Sequence, residues 1–453
     1  MVGVTMPAAT LPGPGDVLDL VVGEVVHGGW CVARQDAAGP VIFVRHALPG
    51  ERVRALVTQT TSRLARADAV EILSAAPGRV EPRCPHARPA GCGGCDWQHA
   101  SLPAQRALKA AVISQQLRRI AGIERAVTVE PLPGDTDGLR WRTRVRFAVR
   151  PDGLAGLRKH RSHDVIDVGD CPIAHPLVTG AAVTRRRWPG ARFVEVAAAA
   201  GTGQRAVIVA GAPRGWETGA PVAADSVLVS GRGGRVSALR GRAYLTEHAA
   251  GRDWRVGATT FWQVHPAAAD TLAAAVLAAL RPRPGEVALD LYCGAGLFAG
   301  VLAEAVGPAG GVIGIEEHAG AVRDARHNLR AAPWARVRRG DVGVLLARDG
   351  LSGASVAVLD PPRTGLSRPV IDLLCGPSGA DATSSGAGSG LRRIAYVSCD
   401  PATLARDLAA FAASGWQLAA LRAFDAFPMT HHVECLATLV PSPGCPVPPG
   451  RPQ

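Results

Sequence analysis

At 453 residues, the chain is long enough for about three domains of roughly 150 residues each. Hydrophobic residues make up 47% of it, which is ample for buried cores, but aromatic residues make up only 4%, so the cores must consist mainly of Ala, Val and Leu. The formal net charge of +12 predicts a polyanionic partner, because neutralisation of phosphates drives nucleic-acid binding. The alternative is a soluble protein with a basic surface and no such partner.

The ten cysteines do not form the regular framework of a secreted disulfide-rich protein. No charged segment followed by an apolar one opens the chain, and no apolar run reaches about 18 residues. We therefore expect no secretory signal and no membrane span, and predict a reducing, cytoplasmic location.

Residues 16–75 are predicted to form a small, OB-like β-barrel. Five short strand-like segments are separated by Gly and Pro turns, at 17–26, 30–34, 40–44, 51–59 and 69–73. Such barrels bind oligonucleotides in many proteins and only brace a neighbouring domain in others.

Residues 76–260 are predicted to form a central domain that opens with a cysteine-rich segment. Leucines and isoleucines at helical spacing predict a helix at 104–121, with Lys109, Arg118 and Arg119 facing solvent. The remainder of this domain is predicted to be mixed α/β structure.

Residues 261–441 are predicted to form a doubly wound, Rossmann-like α/β domain. Helical stretches alternate there with predicted strands at 286–291, 311–315, 355–359 and 393–398. Three segments rich in Gly, Ser, Ala or Pro are expected to be disordered, at 1–15, 376–390 and 442–453.

A glycine turn follows the first strand of this predicted domain. Gly294 and Gly296 let the backbone approach a ligand at the start of the next helix. Glu316 ends the following strand, at the spacing where a carboxylate binds ribose hydroxyls. Ala299 occupies a position where dinucleotide-binding loops carry a third glycine, which disfavours NAD and favours S-adenosylmethionine. A tight turn without a ligand is the alternative.

Two aspartates follow later strands of the same predicted sheet. Asp341 is a candidate acceptor for the adenine amino group, or a solvated loop residue. Asp360 begins an Asp-Pro-Pro-Arg segment at the carboxyl edge, where such sheets bind ligands. Arg363 occupies the place where many methylases of exocyclic amines carry an aromatic residue, which argues against amine methylation.

Cys399 and Glu434 are the candidate catalytic residues. A thiolate that adds to carbon 6 of uracil makes an enolate, carbon 5 can then attack a sulfonium methyl group, and a base must afterwards remove the carbon-5 proton. Cys399 ends an apolar strand, and Asp400 and Pro401 are predicted to start a helix whose N–H groups favour the thiolate. Glu434 lies in an otherwise apolar strand, where an unpaired charge is costly. A structural buried cysteine and an edge-strand glutamate are the alternatives.

Cys84, Cys92, Cys95 and Cys171 form a candidate metal-binding set. Zinc ribbons normally use two Cys-x-x-Cys pairs, whereas this chain has one pair flanked by single cysteines, the last of them followed by proline. This pattern is more typical of an iron–sulfur site, so a [4Fe–4S] cluster is favoured over zinc and over unliganded thiols.

An alternating segment places arginines at every second position. The pattern predicts a strand with Arg140, Arg142, Arg144 and Arg146 on one face, and residues 157–161 continue the charge on a neighbouring strand. The face is either a phosphate-binding surface or a solvated strand face.

These motifs resemble the TRAM-domain RNA uracil-5-methyltransferases, a family that includes bacterial 23S rRNA (uracil-5)-methyltransferases with an iron–sulfur cluster. The resemblance covers residues 16–440 and implies that Cys399 is the nucleophile and Glu434 the base. It also implies RNA bound across all three domains, a flipped target uridine, and a helix near 100–124 packed on the catalytic domain. The implied cofactor site consists of Gln263, Tyr292, Gly294, Gly296, Glu316, Asp341 and Asp360, and the implied cluster ligands are Cys84, Cys92, Cys95 and Cys171.

The favoured function is S-adenosylmethionine-dependent methylation of carbon 5 of a uridine in RNA. 23S rRNA is the leading substrate and tRNA the runner-up, and a monomer without membrane association is expected. The competing interpretations are a non-catalytic iron–sulfur RNA-binding protein and an amine methylase acting on nucleic acid or protein.

Overall fold

The structure, a computed structural model, describes residues 11–36, 39–211, 222–231, 236–376 and 390–443. Most of each segment expected to be disordered lies outside the described residues, namely 1–10, 377–389 and 444–453. Within the described ranges, no helix is both long enough and apolar enough to cross a membrane.

The N-terminal domain is a closed five-stranded barrel with the strand order β1-β2-β3-β5-β4. Buried and less buried residues alternate along the middle of β4, so that small apolar side chains such as Val53 and Ala55 fill the interior. The predicted small barrel is thus confirmed, and its closure leaves no unpaired strand edge. The strands are β1 (Val17–Val26), β2 (Trp30–Arg34), β3 (Ile42–Arg45), β4 (Arg52–Thr60) and β5 (Ala65–Ser74).

Helix α1 (Leu102–Gln116) lies between the barrel and the C-terminal domain. Leu108 and Val112 pack into the apolar core of the barrel. Ile113, together with Leu117 in the π-helical turn directly after α1, packs into one of the cores of the C-terminal domain. A single helix therefore shares its apolar surface between two domains and ties them together.

The prediction that Lys109 faces solvent is wrong. Its side chain is fully buried, and its ammonium group donates hydrogen bonds to the carboxylate of Asp425 and to the backbone oxygen of Phe427. A buried charge is tolerated when it is paired and hydrogen-bonded, and this partner lies 316 residues further along the chain, where helical spacing cannot reveal it. Arg118 and Arg119 are exposed, as predicted.

The central domain is built on a seven-stranded sheet with the order β13-β12-β11-β10-β7-β8-β9. Between residues 128 and 260 the described part has less helix than expected, namely α2 (Pro176–Thr179) and one 3₁₀ turn. Alanine-rich strands such as β10 are ambiguous between helix and strand in the sequence, and their pairing in the sheet decides the outcome. The sheet strands are β7 (Arg144–Val149), β8 (Ala155–Arg158), β9 (Val165–Ile166), β10 (Ala191–Ala199), β11 (Gln204–Gly211), β12 (Ser226–Ser230) and β13 (Val236–Arg240), and a hairpin of β14 (Tyr244–Ala249) and β15 (Arg252–Gly257) follows.

The C-terminal domain is a doubly wound α/β sheet, as predicted. Its order is β18-β17-β16-β19-β20-β22-β21-β6, in which β16 to β20 run parallel and β22 is antiparallel to β20. Helices cover both faces over separate apolar cores. The strands are β6 (Val129–Pro131), β16 (Val287–Leu291), β17 (Gly311–Glu316), β18 (Ala335–Arg339), β19 (Val356–Leu359), β20 (Arg393–Ser398), β21 (Trp416–Asp425) and β22 (Glu434–Pro441), and the helices are α3 (Ala268–Leu280), α4 (Leu297–Val306), α5 (Ala319–Asn328), α6 (Val342–Asp349), α7 (Arg368–Cys375) and α8 (Pro401–Ala413).

This topology brings the candidate site residues to one edge of the sheet. The parallel strands β16 to β20 all end at that edge, so the residues that follow them meet there. Because β22 runs in the opposite direction, its first residue, Glu434, lies at the same edge. Ser398 pairs with Cys435, so the next residues outward, Cys399 and Glu434, are neighbours across the two strands.

Candidate active site

A cavity of about 1100 Å³ lies at this edge of the sheet. Its lining includes Trp30 from the barrel, Asp96 from the cysteine-rich segment and Arg161 from the central domain. Most of the predicted catalytic and cofactor residues line it: Gln263, Tyr292, Gly294, Glu316, Asp341, Asp360, Cys399 and Glu434. Gly296 is not part of the lining; it precedes α4 with a φ of 90°, a conformation that favours glycine.

The turn after β16 and the end of β17 form one half of the cavity. The carboxylate of Glu316 accepts hydrogen bonds from the backbone N–H groups of Gly294 (3.0 Å) and His318 (2.7 Å). A carboxylate can accept about four hydrogen bonds, so Glu316 retains capacity for ligand hydroxyls. Asp341 is the N-cap of α6 and accepts a hydrogen bond from the N–H of Val344 at 2.9 Å. Oriented carboxylates and glycine backbone in this half suit a nucleoside.

Asp290 is a buried carboxylate to which the sequence analysis assigned no role. One of its oxygens accepts a hydrogen bond from the N–H of Ala299 at 2.6 Å, and the other has no hydrogen-bond partner among the described residues. Burial raises the pKa of Asp290 to about 8. The residue ties the end of β16 to α4, and its signal in the sequence was a single carboxylate in an apolar strand.

Cys399 follows β20 directly and precedes α8. Asp400 caps this helix by accepting a hydrogen bond from the N–H of Thr403 at 2.9 Å, and Pro401 occupies its first turn, as predicted. The Asp400 carboxylate also lies 3.3 Å from the imidazole of His27 in the barrel. The segment that carries the thiol is therefore held from two domains.

The helix start was expected to favour the thiolate form of Cys399, but the other surroundings of the thiol act in the opposite direction. Burial, and after it the negative charge of Glu434, raises the pKa of the Cys399 thiol to about 11. The guanidinium of Arg363 opposes this shift and makes a hydrogen bond to the thiol. Desolvation is thus the largest contribution to this shift, and Arg363 is the cation that favours the thiolate.

The pKa values of two carboxyl groups near the thiol, those of Glu434 and Asp360, are both raised, which favours their protonated forms. Glu434 is only 5% exposed, and burial, followed by the charge of Asp360, raises the pKa of Glu434 well above its ordinary value. Burial raises the pKa of Asp360 to about 7. A carboxylate with a raised pKa is a stronger base once it is deprotonated, so Glu434 suits removal of a proton from carbon.

Arg363 and His432 are site residues whose part the sequence analysis missed. A guanidinium nitrogen of Arg363 lies 3.4 Å from Nε2 of His432. Burial, together with the charges of His431 and Arg363, lowers the pKa of His432 to about 3, so its ring is neutral. A neutral ring nitrogen can accept a hydrogen bond from the guanidinium and so orient it towards the thiol.

Three arginines surround Trp30 beside the cavity. The guanidinium carbons of Arg45, Arg66 and Arg161 lie 5.7, 5.7 and 5.4 Å from the centre of its ring system. Burial and the two neighbouring arginines lower the pKa of Arg161, as expected where like charges gather. Arg45 is only 5% exposed and lies 3.8 Å from the carboxylate of Asp96, so Arg66 of the barrel and Arg161 of the central domain are the members of this group that suit an RNA phosphate.

The predicted arginine strand is shorter than expected and is largely neutralised. Strand β7 begins only at Arg144, and Arg140 has a φ of 58°, outside the strand. Arg144 and Arg146 pair with Glu195 at 3.5 and 2.7 Å, and Arg140 pairs with Asp170 at 2.6 Å. These pairs disfavour a continuous phosphate-binding face. Of the four arginines, only Arg142 lines the cavity at the edge of the C-terminal sheet.

The four cysteines of the candidate metal set line a second cavity, of about 300 Å³. The N–H of Gly94 and the side-chain amide of Gln98 donate hydrogen bonds to the sulfurs of Cys92 (3.4 Å) and Cys95 (3.3 Å). Burial raises the pKa of both thiols. Among the described residues, however, no three His, Cys, Asp or Glu side chains are grouped closely enough to hold one metal ion. The sulfurs share a cavity without forming a preassembled ligand set.

Three protein families match parts of the chain. Residues 14–70 match the TRAM domain, and residues 351–440 match tRNA (uracil-5-)-methyltransferase. Residues 244–355, which contain the glycine turn and Glu316, match protein-L-isoaspartate(D-aspartate) O-methyltransferase. The matches thus cover the barrel and both halves of the C-terminal domain.

Two relatives extend over nearly the whole chain. An uncharacterized RNA methyltransferase of Streptomyces avermitilis is 48% identical over 443 residues, covering 94% of this chain and 99% of that protein. One of Streptomyces coelicolor is also 48% identical over 443 residues, covering 94% of this chain and 93% of that protein. The chain belongs to the TRAM-domain RNA (uracil-5-)methyltransferase family. It is therefore an enzyme, and the non-catalytic interpretation is excluded.

A solved structure resembles this methyltransferase over almost its full length. The tRNA (uracil-54, C5)-methyltransferase of Pyrococcus abyssi, in complex with S-adenosyl-L-homocysteine, superimposes with a TM-score of 0.69 at 22% sequence identity, covering 93% of this chain and 100% of that one. At this level of identity the likeness establishes the fold.

Proposed function

We propose that this methyltransferase transfers a methyl group to carbon 5 of a uridine in RNA, with Cys399 as the nucleophile and Glu434 as the general base. The observation that carries the proposal is the pairing of a thiol with a buried carboxyl group across β20 and β22, at the ligand-binding edge of the sheet. A methylase of exocyclic amines needs no such pair, because the nitrogen lone pair attacks the methyl group itself.

The methyl donor in this proposal is S-adenosylmethionine. The cavity volume and the backbone-bound carboxylate of Glu316 support this choice, and the solved structure with the same fold contains S-adenosyl-L-homocysteine. When bound, the donor supplies an electrophilic methyl group. The residues proposed to hold it are Gln263, Tyr292, Gly294, Glu316, Asp341 and Asp360, with Gly296 shaping the turn.

The two catalytic residues act in sequence on the uracil ring. The thiol of Cys399 loses its proton to solvent with help from Arg363, and the thiolate adds to carbon 6 while the electrons of the 5,6 double bond move towards the carbonyl oxygen as an enolate. Carbon 5 then forms its bond to the methyl group as the bond from that group to the sulfonium sulfur breaks, and the donor leaves as a neutral thioether. Glu434 takes the carbon-5 hydrogen as a proton, the double bond re-forms, and the sulfur leaves as thiolate.

RNA is proposed to bind across the barrel and the central domain. The arginines around Trp30 and the net charge of +12 support this, and the target uridine must leave its stack to reach Cys399. We propose 23S rRNA first, because a TRAM barrel together with the four-cysteine set resembles the rRNA enzymes. tRNA is the second candidate, favoured by the family that matches residues 351–440.

Nucleoside mass spectrometry on mapped rRNA and tRNA fragments tests this proposal. Cells that lack the gene are expected to lose 5-methyluridine at one or more 23S rRNA positions, and the purified protein should restore it on that RNA. Loss of 5-methyluridine from tRNA alone would support the same reaction but identify tRNA as the substrate. Purified protein that produces no 5-methyluridine on either RNA would refute the proposal.

We further propose that the second cavity holds a [4Fe–4S] cluster with a structural or RNA-positioning role. Three of the cysteines belong to one short segment and Cys171 to a distant one, yet all four line the same cavity, and two of their sulfurs accept N–H hydrogen bonds. Such a cluster and reduced thiols suit a cytoplasmic location.

Cys92→Ser is expected to abolish bound iron and acid-labile sulfide and to give colourless, poorly folded protein, because a hydroxyl is a poor ligand for iron. Anaerobic purification followed by iron, zinc and sulfide analysis measures this. Cys31→Ser is the matched control, since this buried thiol of the barrel hydrogen-bonds to a backbone oxygen and a hydroxyl can do the same. Unchanged iron and sulfide in Cys92→Ser would remove Cys92 from the ligand set, and zinc in the wild type would replace the cluster with a zinc site.

A further inference from the structure

Three domains meet at a single residue, Asp96, directly after Cys95. The barrel turn reaches this point through Gly29, where an added Cβ would lie 3.0 Å from the Cβ of His431 and 3.3 Å from that of Asp96. The third participant is the loop at 426–433, which ends immediately before Glu434. Gly29 has a φ of 81° and is the residue type that permits this approach.

Hydrogen bonds join the cysteine-rich segment to this loop. The backbone N–H groups of Asp96 and Trp97 both donate to the backbone oxygen of Met429, at 3.0 and 3.1 Å. One carboxylate oxygen of Asp96 lies 2.6 Å from Nδ1 of His431 and accepts a hydrogen bond from its backbone N–H at 3.2 Å. The loop is therefore fixed by its backbone and by a side chain at the same place.

The contacts continue from this loop to the reacting groups. The rings of His431 and His432 have centroids 4.1 Å apart, and His432 lies 3.4 Å from the guanidinium of Arg363. Arg363 in turn hydrogen-bonds to the thiol of Cys399, and Glu434 is the second residue after His432. A displaced loop would move the general base and the cation beside the nucleophile together.

Asp96 is held from two sides at this position. Its side chain is only 12% exposed, and a guanidinium nitrogen of Arg45 in the barrel lies 3.8 Å from the carboxylate oxygen that does not bind His431. The two oxygens of the carboxylate therefore face different partners, one in the barrel and one in the loop at 426–433.

We propose that Asp96 is a positioning residue that holds the loop at 426–433 in the position that methyl transfer requires relative to Cys399. Through Asp96, the cysteine-rich segment would then contribute to the geometry of the active site. This inference rests on the proposed function. It assigns the cysteine-rich segment a part in the catalytic geometry, in addition to any part in folding or RNA binding.

Asp96→Asn tests the inference, with Asp170→Asn as a matched control. Asp170 directly precedes Cys171 of the same cysteine set, but it pairs with the exposed Arg140 and does not line the catalytic cavity. We expect kcat to fall about 10- to 100-fold in Asp96→Asn, as for small displacements of reacting groups, with KM for RNA and for S-adenosylmethionine within about twofold of wild type. Asp170→Asn should retain wild-type kcat, and both variants should retain wild-type metal content.

A double-mutant cycle separates positioning from general destabilisation. His431→Gln removes the other partner of the contact between Asp96 and His431, so it should lower kcat in the same way. The double variant should have a kcat no lower than that of the slower single variant, because both substitutions remove the same contact. Fully additive losses, or equal kcat in Asp96→Asn and Asp170→Asn, would overturn the inference. Absence of 5-methyluridine with the wild type would instead refute the proposed function, so the two failures are distinguishable. If Asp96→Asn does not fold, His431→Gln alone tests the inference: a lower kcat with nearly unchanged KM would support it, and an unchanged kcat would overturn it.

Discussion

Cys399→Ala is expected to abolish methyl transfer, with a loss on the order of 10⁴-fold or more, as for the removal of other enzymatic nucleophiles. Without the thiol, no bond forms at carbon 6, and carbon 5 of the uracil ring remains too weak a nucleophile to attack the methyl group. Transfer of a radioactive methyl group from S-adenosylmethionine to transcribed rRNA and tRNA fragments measures the loss. RNA affinity should be retained, because the arginines around Trp30 are unchanged.

Cys435→Ala is the matched control for this variant. Cys435 is a fully buried cysteine on the neighbouring strand, opposite Ser398, and it does not line the catalytic cavity. Its replacement should lower thermal stability modestly and leave methyl transfer within a few-fold of wild type. Methyl transfer that persists in Cys399→Ala would exclude the covalent mechanism and favour direct attack by the substrate.

Glu434→Gln is expected to form the covalent RNA adduct and then fail to release it. The amide has nearly the same shape as the carboxyl group but cannot take the carbon-5 proton, so the sulfur cannot leave. A protein–RNA band that survives denaturing electrophoresis, contains the methyl group and decays much more slowly than with wild type would show this. Turnover to free 5-methyluridine should fall by about 100-fold or more, the upper part of the range for loss of a general base.

Glu247→Gln provides the control for the loss of a buried carboxyl group. Glu247 is also buried, and burial raises its pKa to about 8, but it lies in the hairpin of β14 and β15 and does not line the catalytic cavity. This variant should produce free 5-methyluridine at the wild-type rate and accumulate no covalent protein–RNA adduct. The assignment of Glu434 as the base would be abandoned if Glu434→Gln trapped no adduct or released product at the wild-type rate.

Several parts of this enzyme could be predicted because their signals are local. The barrel was predicted from five short strand-like segments separated by Gly and Pro turns, and the doubly wound domain from alternating strands and helices. Cys399 and Glu434 were identified as a reactive group and a charge in otherwise apolar strands, and the structure makes them neighbours across β20 and β22. Gly294 and Gly296 were identified by the backbone freedom that a ligand-binding turn requires.

Other features arise only from contacts between distant segments. Helical spacing placed Lys109 in solvent, whereas Asp425 draws it into the interior. A helix start was expected to favour the thiolate of Cys399, whereas burial and the neighbouring Glu434 raise the pKa of the thiol. The role of Arg363 beside the thiol could not be predicted, because its partners lie on other strands and loops.

The reactive groups and the strands, helices and turns that carry them can thus be recognised from the order of the residues alone. The pairing of charges, their preferred protonation states and the contact of Asp96 with the loop at 426–433 depend on the folded chain. Backbone preference and periodicity act between near neighbours in the chain. Desolvation and Coulomb energies depend instead on distances through space, which the complete fold establishes.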